Sequence, residues 1–135
     1  MSLIVVDASV WVSRLVVGDV AYTRVRSWLE RQRAAGNELL SPSLLLPEVA
    51  GAIGRRTTSA LGLEALRVLE DLPRLRVVEM DAALIGAASK LAAELGLRGA
   101  DSVYVAVAQV LDLPLASLDL DQRDRAGRLV EVIEF

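Results

Sequence analysis

Leu3-Ile4-Val5-Val6-Asp7 is the stretch on which the reading of this chain turns: four apolar residues in a row, three of them β-branched, stopped by a carboxylate. A segment that is apolar at every position suits a strand buried on both faces, the environment of a parallel sheet covered by helices. The same pattern returns near the other end, where Pro114-Leu115-Ala116-Ser117-Leu118 runs into Asp119. Further strands are expected at Glu38–Ser41, Leu75–Glu79 and Leu129–Phe135.

Helical patterns fill the intervals. Ala21, Val25, Trp28, Leu29 and Gln32 share one face of a helix over Asp19–Arg33, with Asp19 as its cap and Gly36 as its stop. Pro42 and Ser43 introduce a helical segment reaching about Arg56, and another is expected over Ser59–Asp71. Asp81–Leu95 carries the clearest stripe (Leu84, Ala88, Leu91, Ala92, Leu95) and ends at Gly96. Asp101 opens Ser102–Leu111, which is apolar almost all round and so deeply buried, and Gln122–Ala126 gives one more turn. Strands alternating with helices of ten or more residues predict an α/β fold. The expectation is one three-layer α/β/α domain over residues 1–135, with a mostly parallel sheet of five strands.

Composition limits the chemistry. Of 135 residues, 53% are hydrophobic and 24% charged, enough for a packed core in a globular domain. No apolar run approaches the ~18 residues of a membrane span. The N-terminal apolar stretch has no basic region before it, so no signal peptide is expected. The chain contains no cysteine and no histidine. Disulfides, thiolate chemistry, Ser-His-Asp catalysis and the usual zinc sites are therefore excluded, and a cytoplasmic location is expected. Carboxylates remain as the chemical tools, and they favour hard cations. The net charge of −3 gives no general attraction for nucleic acid, so any such contact must be local.

Four acids stand where a carboxylate is unusual. Asp7 and Asp119 each follow an apolar strand, at the sheet edge where α/β folds bind ligands. Glu48 shares a helical face with Leu44, Leu45 and Ala52. Asp101 precedes the most apolar helix. Each has an ordinary reading beside this one: Asp7 and Asp119 as turn or cap residues, Glu48 as a complement to a helix dipole, Asp101 as an N-cap. Asp121 is an additional candidate or a member of a charged loop with Arg123, Asp124 and Arg125. Together, four converging carboxylates would repel one another unless a cation neutralised them. That points to Mg²⁺ or Mn²⁺ and to metal-assisted phosphoryl chemistry.

The motifs VVDASVW (5–11), PEVAGAI (47–53), GADSVYVAVA (99–108) and LASLD (115–119) occur in an order and spacing that resembles the PIN domain, and within it the VapC toxins of toxin–antitoxin pairs. The resemblance runs from Leu3 to Phe135. It implies a parallel sheet with helices on both faces and a Mg²⁺- or Mn²⁺-dependent endoribonuclease. Asp7, Glu48, Asp101 and Asp119 take the positions of the family's acids, and Ser9 and Ser117 its hydroxyl positions. An RNA substrate, a cognate antitoxin protein and a homodimer are implied as partners. Arg14, Arg55, Arg56, Arg98 and Arg123 stand near these acids in sequence and are read singly as ion-pair partners rather than RNA ligands. Trp11, Tyr22 and Trp28 are candidate partner contacts, with Trp28 better placed for the core.

The alternatives are a PIN-like module that binds without cutting and a PIN nuclease of RNA processing that has no antitoxin. A phosphoacceptor receiver domain would need an acid beside Asp7 and a late lysine, yet the only lysine is Lys90. A haloacid-dehalogenase-type phosphatase would need an aspartate where Ser9 stands.

Overall fold

Among residues 2–135, those described by the computed structural model, five strands alternate with seven helices. The order is β1 (Leu3–Val6), α1 (Ala8–Leu15), α2 (Tyr22–Ala34), β2 (Glu38–Pro42), α3 (Leu45–Arg56), α4 (Ser59–Glu70) and β3 (Leu75–Val78). There follow α5 (Ala82–Leu95), α6 (Gly99–Leu111), β4 (Leu115–Ala116), α7 (Leu120–Ala126) and β5 (Val132–Ile133). All pairings are parallel, and the sheet runs β3-β2-β1-β4-β5.

That order creates a switch point. From β1 the chain winds outward through β2 to β3, then crosses back over β1 to begin β4 on its other side. The carboxyl ends of β1 and β4 therefore diverge into opposite connections and leave a crevice between them. The register sets Val5 beside Leu115 and Val6 beside Ala116, so Asp7 emerges next to Ser117. The Asp7 N–H donates to the Ala116 carbonyl at 2.9 Å, closing the ladder at that edge.

The helices cover the sheet in two groups. One is α1 packed on α2 and α3, with α3 paired to α4; the other is α5 with α6, and α6 lies on β1 and β2. Right-handed crossovers in opposite directions place the groups on opposite faces. Val5, Val6, Leu115 and Ala116 have no exposed surface, and neither do Tyr104, Val105, Ala106 and Ala108 of α6. The all-round apolar character of α6 thus corresponds to deep burial over Ser102–Ala108, whereas its last turn emerges from the core, with Val110 and Leu111 exposed. Trp28 belongs to the core and meets Phe135 edge-on at 5.0 Å between ring centres.

Several local expectations are corrected. The helix α1 was not anticipated, because Val10, Trp11 and Val12 are mediocre helix formers and nothing local announces it. Its start is capped by Asp7 and its inner side is buried. Asp19 does not cap α2, which begins at Tyr22 with Ala21 at its N-cap; Asp19 instead accepts from Ala21 N–H, Ser13 Oγ and Arg56. Asp101 is not an N-cap but a first-turn residue of α6, which starts two residues earlier behind Arg98. The last two strands are only two residues each, so Asp119 follows its strand by a short loop rather than directly. Asp81 and Gly96 do cap α5, with Asp81 accepting from Leu84 N–H and Gly96 left-handed.

Candidate active site

Asp7 sits at the switch point and is 5% exposed. Its Oδ2 accepts from Ser9 N–H at 3.2 Å, from Ser9 Oγ at 2.6 Å and from Ser117 Oγ at 3.1 Å. Burial pushes its pKa up, as does the nearby charge of Asp101, while the hydrogen bonds from Ser9 and Ser117 pull the other way. Its Oδ1 accepts no hydrogen bond among the described residues.

The two serines also hold the loop after β4. Ser9 Oγ accepts from Leu118 N–H at 3.0 Å, and Ser117 Oγ accepts from Asp119 N–H at 3.1 Å. Ser117 has a single proton, shared between Asp7 and the Gln122 Oε1 that lies 2.9 Å away. Gln122 is fully buried and its Nε2 donates to the Asp101 carbonyl, tying α7 to α6.

Asp119 caps α7 through Oδ1, which accepts from Asp121 and Gln122 N–H. Its other oxygen accepts from Arg98 Nη2 at 2.5 Å, and Arg98 Nε donates to Asp101 Oδ2 at 3.0 Å. One guanidinium thus bridges two of the expected acids from an exposed position. Burial raises the pKa of Asp101, Arg98 opposes this, and the charges of Asp119 and Asp121 raise it again.

Glu48 projects from the first turn of α3, where it suits the helix dipole. Its Oε1 accepts from the hydroxyl of Tyr104, a fully buried residue of α6, at 2.6 Å. Burial raises the Glu48 pKa, Tyr104 lowers it, and the charges of Asp7 and Asp101 raise it again. The two ordinary readings of Glu48 and Asp119, dipole complement and cap, therefore hold together with a place at the site.

Asp7, Glu48 and Asp101 feel one another's charge, and Asp119 joins them through Ser117 and Arg98. Asp121 lies at the margin: it is exposed and pairs with Arg125 at 3.0 Å, though its charge still reaches Asp101. Sequence reasoning missed Tyr104 and Gln122. Tyr104 stands three residues after Asp101, one helical turn on, which puts both on one side of α6. That spacing was the available signal. Of the nearby arginines, Arg98 and Arg56 are ion-paired as expected, and Arg14 lies over the Tyr22 ring at 5.7 Å. Arg55 and Arg123 have no carboxylate partner among the described residues.

The donor chemistry fits a hard divalent cation. The acids are oxygen ligands with raised proton affinity, and Asp7, Glu48 and Asp101 each keep one carboxylate oxygen without a donor among the described residues. The positions do not yet close around an ion: among the described residues no three acids form a group placed to hold one. Arg98 supplies the positive charge beside Asp101 and Asp119 instead.

A small doubly wound sheet with a buried Asp7 and half-buried carboxylates around it at the switch point defines a class of acid-site α/β domains. The PIN domain family model matches residues 4–128, and the chain belongs to that family. The fold is shared with VapC20 of Mycobacterium tuberculosis, described as a sarcin-ricin loop cleaving toxin, at TM-score 0.78 and 21% identity, covering 97% of this chain and 99% of that one. It is also shared with VapBC2 of Rickettsia felis bound to a promoter DNA fragment, at TM-score 0.72 and 16% identity over 97% of each chain. VapBC of Salmonella typhimurium bound to DNA matches at TM-score 0.73 and 14% identity over 98% of each. A comparison with curated protein sequences finds no match.

Proposed function

We propose that residues 1–135 act as one PIN domain, a metal-dependent endoribonuclease and the toxin of a type II toxin–antitoxin pair. The observation that carries this reading is the convergence of Asp7, Glu48 and Asp101, whose pKa values are all raised in a crevice that Asp119 also borders. Such a cluster is unfavourable for the fold alone and is suited to a cation. Asp7, Glu48, Asp101 and Asp119 would hold Mg²⁺ or Mn²⁺, directly or through water, with Asp121 as a secondary outer candidate.

When bound, the ion supplies a water of lowered pKa and polarises a phosphoryl oxygen. The protein's own residues do the rest. Ser9 and Ser117 fix Asp7 so that its free oxygen keeps one direction. Tyr104 does the same for Glu48, whose remaining oxygen can orient water or accept its proton. Arg98, exposed and tethered beside Asp101 and Asp119, lies where it can meet an incoming phosphate.

An antitoxin partner is supported by the toxin–antitoxin complexes that share this fold. A groove of about 570 Å³ between α1, α2 and α4 offers a place for it, apolar at Leu15, Leu29 and Leu72 and bordered by Arg14, Arg33 and Arg74. Its chemistry suits an amphipathic, acidic segment of another protein, and Trp11 lines it with a buried Nε1–H that has no acceptor. A homodimer and a cytoplasmic location belong to the same reading. No helix is long and apolar enough to cross a membrane among the described residues.

The test is cleavage of a pool of structured RNA by wild type and Asp7→Asn, with Mg²⁺, with Mn²⁺ and with chelator. Wild type should cut only with metal, and Asp7→Asn should be slower by at least about 100-fold, the scale of losing a positioned carboxylate. Equal cutting by both proteins would refute the site. Metal binding or RNA binding with no cleavage in any condition would favour the silent PIN-like module.

A further inference from the structure

Two of the four acids, Glu48 and Asp119, line a cleft of about 680 Å³ whose wall also carries three arginines and Asp19. Ser9, Glu48 and Asp119 line it together with Arg24 of α2 and Arg55 and Arg56 of α3. On α3, Glu48, Ala52, Arg55 and Arg56 fall at helical spacing on one face. The rise of 1.5 Å per residue separates the backbone of the acid from that of the arginines by about 10–12 Å.

The arginines differ in their partners. Arg56 is held by Asp19 at 3.0 Å, and Asp19 is in turn fixed by Ser13 and Ala21. Arg24 and Arg55 have no carboxylate within 4.0 Å among the described residues, and both are exposed. The Arg55 guanidinium folds back along the helix over Gly51, where a Cβ would lie 3.2 Å from Nη1. Arg55 and Arg56 at the end of α3 complement its dipole. Arg24 does the reverse: it stands in the first turn of α2, where positive charge opposes the dipole. Helix stability therefore gives no reason for Arg24 to be there.

Resting on the nuclease reading above, we propose that Arg24 and Arg55 form a phosphate-binding arm that holds the RNA backbone in the cleft beside Glu48 and Asp119. A chain of net charge −3 needs such a local arm to bring a polyanion near these acids. Val12, Ala52 and Leu118 line the floor, and no aromatic ring does. The arm therefore offers no stacking platform and takes the backbone without reading the sequence. An acidic peptide would meet the same arginines and the same two acids, so the choice of RNA rests on the nuclease reading of the adjoining carboxylates.

The experiment is fluorescence anisotropy of a short, unstructured, labelled RNA in chelator, across a salt series, with wild type, Arg24→Ala/Arg55→Ala and Arg24→Lys/Arg55→Lys. A control, Arg67→Ala/Arg128→Ala, removes two arginines that do not line the cleft. The alanine pair should bind about tenfold more weakly at low salt, with a log K against log salt slope shallower by about 1.4, from ~0.7 per lost single-strand contact. The lysine pair and the control should keep the wild-type slope, and all four proteins should melt alike. Equal slopes for wild type and the alanine pair would overturn the proposal. So would loss of binding to polyglutamate without loss of binding to RNA, which would assign the arginines to an acidic protein. Cleavage in Mn²⁺, run beside it, separates the two ideas. No cutting with an arginine-dependent slope removes the nuclease and keeps the arm; cutting with equal slopes removes only the arm.

Discussion

Asp7 shows how far a single residue can be placed against stability. Its carboxylate is 5% exposed and shares its field with Asp101, and the hydroxyls of Ser9 and Ser117 offset only part of the cost. The folded pKa lies above the unfolded value, so the folded state holds the proton more tightly. Its contribution is favourable below about pH 4, the ordinary Asp value, and is lost as pH rises through the raised folded value. Asp7→Asn keeps an acceptor for Ser9 and Ser117, remains a good cap and removes the charge. It should raise Tm at pH 7 by roughly 2–5 °C, the shift about 1 kcal/mol produces in a domain of this size, and the gain should shrink as pH falls. Thermal melts of both proteins from acid to neutral pH check this; a gain that widens towards acid would contradict the burial argument. The position of Asp7 after an apolar strand was legible in the sequence. The pairing of Glu48 with Tyr104 was not, because 56 residues separate them and only the folded arrangement of α3 and α6 about the sheet brings them together.

At the scale of elements, the site depends on how closely α3 and α4 approach. Gly62 of α4 faces α3 so tightly that a Cβ there would lie 2.8 Å from the Ala50 carbonyl oxygen and 3.2 Å from the Gly54 nitrogen. Those are backbone atoms and cannot swing aside. Gly62→Ala, although favourable for an isolated helix, should destabilise the protein by about 1–3 kcal/mol through overpacking. Urea denaturation checks the sign, and unchanged or greater stability would show that the pair can spread freely. Because α3 carries Glu48, Arg55 and Arg56, cleavage should fall along with stability. The same lesson explains why α1 was hidden from periodicity. Its eight residues are held by the Asp7 cap and by contacts with α2 and α3, which no local propensity records. The long helices α5 and α6 carried their own patterns and were readable.

For the whole molecule, the sheet order decides what the acids can do. Placing β4 beside β1 brings Asp7 next to Ser117 across 110 residues of chain, and Asp119 follows within the same edge. A cation that binds the folded site and not the unfolded chain should stabilise the protein by about 2.7 kcal/mol at a hundredfold excess over its Kd, raising Tm by about 10 °C. Melts with Mn²⁺ and with chelator test this, and Asp7→Asn should show less than half the rise. An unchanged Tm at every Mn²⁺ concentration would leave Arg98 as the only counter-charge of the site. The sequence by itself determined the fold class, the apolar strands and the acids that end them, because alternation and burial leave a periodic trace in the residues themselves. Tertiary structure alone decided that Arg98 bridges Asp101 and Asp119, that Tyr104 reaches Glu48, and that Arg24 faces the cleft with Arg55. Those facts depend on register and packing between distant segments, and no local pattern of residues encodes the distance between two side chains that only folding brings together.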